Sequence, residues 1–197
     1  MLLRHGQTPM SVQKRYAGRS DPPLTEAGVQ QAAAAAKRLA PAGFGVIVTS
    51  PLLRTVQTAQ AVAAVTGAAV VTDDGFRETD FGAWEGLTFA EVRERWPAEL
   101  SAWLADPEIA PPGGESFTDV SARVTAALDR LLAARAGQTV LVVSHVTPIK
   151  TLVAAALLAP PAALYRMHLD VAALCEIDWY TDGPAVLRSF NDTSHLC

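Results

Sequence analysis

Two histidines of this 197-residue chain stand where apolar runs end. Leu2-Leu3 leads into Arg4-His5-Gly6-Gln7-Thr8, and Val140 to Val143 leads into Ser144-His145. An apolar run giving way to a histidine and a turn reads as the C-terminal end of a strand, where parallel α/β sheets place their chemistry. A neutral imidazole can attack phosphorus and carry a phosphoryl group. Arg4 offers a planar fork matched to phosphate oxygens, and Gly6 would let a substrate approach the backbone closely. A histidine near a strand end is commonly structural, but the chain holds only four and two share this setting. His168 and His195 have no evident partners and read as structural.

Arg54 opens a helix after another strand. Arginine has the wrong sign for a helix N-terminus, so it makes more sense facing a bound anion than as a surface charge. Glu78, Asp80 and Glu85 lie together in a long loop. An enclosed carboxyl near a phosphate site would have its pKa raised and could give a proton to a leaving alkoxide. Spacing does not choose among the three acids. Trp84, Trp96, Trp103 and Phe81 either line the mouth of the pocket or belong to the core.

Other chemistries lack their residues. There is no His-x-x-x-His pair and no Cys-x-x-Cys, so no metal is expected. There is no Walker-type glycine loop, and Ser144-His145 is not the Gly-x-Ser-x-Gly elbow. No cofactor is expected.

Positioning these residues takes a sheet. Short apolar runs at 45–49, 68–72 and 139–143 are bounded by turn residues and read as buried parallel strands. Helices are expected from Thr25, its N-cap, to about Leu39, and from Ser50-Pro51, as N-cap and N1, to about Thr66. Pro9 to Pro23 and Asp73 to Leu87 read as loops, the second long enough to be functional. Thr88 with Glu91 makes a capping box, and a further short helix carries Trp103. Phe117, Val120, Val124, Leu128, Leu131 and Leu132 keep amphipathic helical spacing. Thr147-Pro148 reads as one more helix start. The runs 172–180 and 185–190 flank Thr181-Asp182-Gly183-Pro184, a hairpin signal that makes one strand antiparallel. The sum is an α/β, three-layer αβα sandwich with a mostly parallel sheet, in one domain spanning 1–197.

Half the residues are apolar and the net charge is −4, which argues against a nucleic-acid surface. A small phosphate ester needs only a local arginine cluster. Cys175 and Cys197 form no disulfide framework, consistent with a reducing cytoplasm. No run is long enough to span a membrane. The first strand starts abruptly, so the chain is expected to be a piece of a longer polypeptide.

The ordered set of motifs resembles the histidine phosphatase superfamily, phosphoglycerate-mutase-like branch. It comprises Leu2 to Thr8, Leu24-Thr25-Glu26-Ala27-Gly28, Ser50 to Ala59, Arg77-Glu78 with Gly82 to Gly86, Pro112 to Ser116 and Val143-Ser144-His145. The resemblance implies that His5 is the phosphorylated nucleophile. Arg4, Arg54 and His145 would clamp the phosphoryl oxygens, and Glu78 would be the proton donor. Gln7, Thr8 and Ser144 would make secondary contacts. Ser11 stands where many mutases have Asn, Val146 to Lys150 replaces a Gly-rich stretch, and a long middle insertion is missing. These departures favour hydrolysis of a small phosphate monoester over transfer. The segment Ser144 to Lys150, with Leu164 to Asp170, is similar to the C-terminal acid phosphatase domain of bifunctional ribonuclease H/acid phosphatases, relatives of α-ribazole phosphatases. A nucleic-acid-acting domain would then lie upstream.

Overall fold

The strands alternate with helices because each core strand is apolar on both sides. In the computed structural model, residues 1–196 are described; Cys197 lies outside them. The strands are β1 (Leu2–Arg4), β2 (Val46–Thr49), β3 (Val70–Thr72), β4 (Val140–Ser144), β5 (Leu174–Trp179) and β6 (Ala185–Asp192). The helices are α1 (Pro9–Val12), α2 (Glu26–Leu39), α3 (Leu53–Thr66), α4 (Phe89–Arg95), α5 (Pro97–Ala105), α6 (Phe117–Ala134) and α7 (Val146–Ala156). Sheet order is β3-β2-β4-β1-β5-β6. β1 to β4 run parallel, and β5 alone is reversed against both β1 and β6.

Successive strand residues point to opposite faces. Leu2, Val46, Val48 and Val142 pack against Val120, Val124, Ile149 and Leu152 of α6 and α7. Leu3, Ile47, Leu141 and Val143 pack against Ala35, Leu39, Ala59 and Val62 of α2 and α3. Two-sided burial explains why these strands read as continuous apolar runs. A third cluster, of Phe81, Trp84, Val92, Leu100, Trp103, Phe117 and Leu164, includes α4 and α5. No helix among the described residues is long and apolar enough to cross a membrane.

Two helix starts differ from the sequence expectation. α3 begins at Leu53, and its N-cap residue is Leu52, whose side chain caps nothing. Ser50 Oγ is instead 2.8 Å from His145 Nε2, and Asp21 Oδ1 accepts from Leu53 N–H at 2.6 Å. α7 begins at Val146, so Pro148 is its third residue. Its first two N–H groups meet the Glu78 carboxylate, which makes a local Thr147 cap unnecessary. The expected loop 9–23 contains α1, because Thr8 and Ser11 form a reciprocal capping box. Gly6 also has a different use. A Cβ there would lie 2.4 Å from the Gly28 carbonyl oxygen, so glycine lets the start of α2 press against the loop after β1.

Candidate active site

Sheet register brings the two histidines together. Arg4 of β1 lies level with Ser144 of β4, so His5 and His145 emerge side by side. Their ring centroids are 5.2 Å apart at 62°. His5 is 6% exposed and His145 is fully buried.

The two rings hold opposite tautomers. His5 Nδ1 lies 2.8 Å from the Gly6 carbonyl oxygen. A carbonyl only accepts, so Nδ1 carries the proton and Nε2 keeps its lone pair. Arg54 Nε donates to His145 Nδ1 at 3.3 Å. A guanidinium only donates, so the proton of His145 sits on Nε2 and points at Ser50 Oγ. Burial, helped by Arg4 and Arg54, holds His5 well below the ordinary 6.5. Burial, then Arg54 and His5, does the same for His145.

These shifts tie stability to pH. Both rings stay neutral in the folded chain, whereas the unfolded chain takes up protons below about 6.5. This contribution is complete above 6.5 and is lost as pH falls below it. Unfolding free energy should therefore fall as pH drops from 7 to 5, because the unfolded chain binds protons that the buried rings do not. Urea titrations at pH 7, 6 and 5 measure it; a flat profile would contradict the assignment.

Arg4, His5, Thr8 and Glu78 line a cavity of about 320 Å³; Arg54, His145 and Gln7 do not. Arg4 donates from Nη1 to the Leu169 carbonyl at 2.6 Å. Its Nε is buried with no protein acceptor among the described residues. Burial, opposed by Glu78 and Asp170, lowers Arg4 to about 10, so it stays cationic at neutral pH. Arg54 is 1% exposed, and burial lowers its pKa against the pull of Glu78, Asp21 and Glu85. It gives its Nη protons to the carbonyls of Ala17, Gly18 and Ser20. Thr8 Oγ1 accepts from Ser11 N–H. The Gln7 amide oxygen accepts from Thr25 Oγ1 at 2.9 Å, so its side chain serves the start of α2. Ser144 Oγ donates to the Phe76 carbonyl.

Geometry separates the three acids. Glu85 accepts from Gly18 N–H, Arg19 N–H and Ser20 Oγ, and with Arg54 it clamps the 17–20 loop. Asp80 pairs with Arg19 and accepts from Gly82 N–H. Only Glu78 of the three lines the cavity. It accepts from Thr79, Val146 and Thr147 N–H groups at 2.9, 3.1 and 3.3 Å, at the positive end of α7.

Arg123, unremarked in the sequence, positions the Glu78 loop. It forms a bidentate pair with Glu115 at 2.9 and 3.0 Å. It also donates to the carbonyls of Gly75, Arg77 and Glu78. Ser50 is the second functional candidate that spacing missed. Trp84 and Trp103 are core residues, and Trp103 also forms cavity wall.

The family model described as histidine phosphatase superfamily (branch 1) matches residues 1–193. The chain belongs to that superfamily. It is 52% identical over its full length to the bifunctional protein Rv2228c of Mycobacterium tuberculosis, and spans 54% of that relative. It is 36% identical to a probable phosphoglycerate mutase GpmB of Yersinia pestis, covering 99% of this chain and 93% of that one. Among solved structures, YhfR of Bacillus stearothermophilus superposes with a TM-score of 0.92 at 33% identity, covering 99% and 97% of the two chains. The α-ribazole phosphatase of Shigella flexneri gives 0.88 at 29% identity, covering 97% and 95%.

Proposed function

We propose that the chain is a phosphatase domain that hydrolyses small phosphate monoesters without a metal, through a phosphohistidine on His5. The observation that carries this reading is the neutral His5 with its lone pair on Nε2, beside Arg4 and Glu78 in one cavity. In the first step, Nε2 attacks phosphorus in line and the bond to the ester oxygen breaks. Glu78, as the carboxylic acid, gives its proton to the departing alkoxide. In the second step, Glu78 takes a proton from water, the water oxygen attacks phosphorus, and the P–N bond breaks to release phosphate. Arg4, which lines the cavity and whose Nε has no protein acceptor among the described residues, would donate to the transferring group. Arg54 and His145 add fixed positive charge and dipole behind His5, where preorganised groups favour the transition state. Thr8 shapes the same wall.

Acid phosphatase activity on α-ribazole phosphate is the finer form of this reading. It draws support from the likeness to the Shigella flexneri enzyme and from the aromatic residues that line the cavity. The 54% coverage of a relative described as bifunctional supports a longer protein with a second domain; that this domain acts on nucleic acid and that the protein is cytoplasmic are parts of the proposal. A mutase is the rival, favoured by the GpmB relative. The two are separated by incubating EDTA-treated protein with 3-phosphoglycerate and with an aryl phosphate. Phosphate release should survive the chelator and exceed isomerisation. Isomerisation outpacing release, or loss of activity with EDTA, would overturn the proposal.

A further inference from the structure

Most polar side chains around the cavity are already engaged by the protein. Arg15 is held by the Gly86 carbonyl and Glu91. Ser11 and Thr8 cap each other, and the Tyr165 hydroxyl donates to the Trp103 carbonyl at 2.6 Å. Lys150 differs. It stands one helical turn after Val146 on α7, so it shares the cavity-facing side of that helix, and it lines the cavity. An ammonium has three protons to give. Among the described residues Lys150 makes one hydrogen bond, to the Leu164 carbonyl at a long 3.3 Å. Burial lowers its pKa, against the pull of Glu78. A partly buried cation with donors to spare is costly unless something anionic joins it.

Five aromatic side chains also line the cavity. Tyr16 and Phe81 have ring centroids 4.7 Å apart, Trp103 and Phe117 4.9 Å, and Trp103 and Tyr165 6.0 Å. All five rings face the same cavity. Such rings take a flat apolar body.

Resting on the phosphatase reading, we infer that Lys150 is a specificity residue: among phosphate monoesters of aromatic alcohols, it favours those that also bear a carboxylate or other anionic group. Lys150 would bind that group while the aromatic rings hold the body between it and His5.

The test compares carboxybenzyl phosphates, substituted at the 3- and 4-positions, with the isosteric carbamoylbenzyl phosphates. A charge-assisted hydrogen bond should make kcat/KM roughly tenfold higher for the carboxylate member of at least one pair. Lys150→Met should erase that ratio and Lys150→Arg should retain part of it. The ratio within one protein is independent of how much of a variant folds. Equal kcat/KM for both members of each pair in the wild type, or a ratio that survives in Lys150→Met, overturns the inference alone. Failure of the wild type to release phosphate from any of the four esters while it hydrolyses 4-nitrophenyl phosphate overturns the inference alone; failure on 4-nitrophenyl phosphate as well overturns the phosphatase reading and this inference with it.

Discussion

His5→Ala is expected to lower kcat for an aryl phosphate by roughly 10⁴-fold or more, in the range seen when a covalent nucleophile is removed. The size follows from what the cavity contains. His5 is the one histidine that lines it, and its Nε2 has a free lone pair because Nδ1 is pinned by the Gly6 carbonyl. His145 cannot take over. One of its nitrogens receives Arg54 and the other is committed to Ser50. Rapid-quench experiments with radiolabelled substrate should trap an acid-labile phosphoenzyme in the wild type and none in the variant. A melting temperature close to wild type would show that the loss is chemical. Hydrolysis at a wild-type rate by His5→Ala would defeat the phosphohistidine mechanism outright.

The convergence of His5 and His145 was legible in the sequence because parallel strands end on one edge. Two apolar runs, each closing on a histidine, were enough to bring residues 140 positions apart together. The reversed strand could be read from Thr181 to Pro184 for a similar reason: turn chemistry is local. What escaped is non-local. The N–H of Leu53 is capped by Asp21, 32 residues away, and that of Val146 by Glu78, 68 residues away. No rule about the residues flanking a helix start can find such partners. Spacing left Glu78, Asp80 and Glu85 undivided for the same reason, since Glu85 is occupied by a loop 65 to 67 residues earlier in the chain. Arg123 lies on an amphipathic helix where an arginine is ordinarily solvated. Its five contacts with Glu115 and the 75–78 carbonyls appear only once the loop is folded against it.

Glu78→Gln tests the other half of the mechanism, and its effect should depend on the leaving group. An alkoxide departs as a strong base and needs a proton in the transition state, whereas 4-nitrophenolate departs without one. The variant should therefore lose roughly 10²- to 10⁴-fold in kcat for benzyl phosphate and much less for 4-nitrophenyl phosphate. Glutamine matches the volume of glutamate, but its amide nitrogen only donates, so one of the two N–H groups of Val146 and Thr147 loses the carboxylate oxygen that accepts from it. Some misplacement of the start of α7 will slow both substrates alike, so the ratio of the two losses carries the information. Glu85→Gln is the control. It should loosen the 17–20 loop that Glu85 holds and leave that ratio at the wild-type value. Equal losses for benzyl and 4-nitrophenyl esters in Glu78→Gln would remove Glu78 as the proton donor, leaving it as a cap that aligns α7 beside His145.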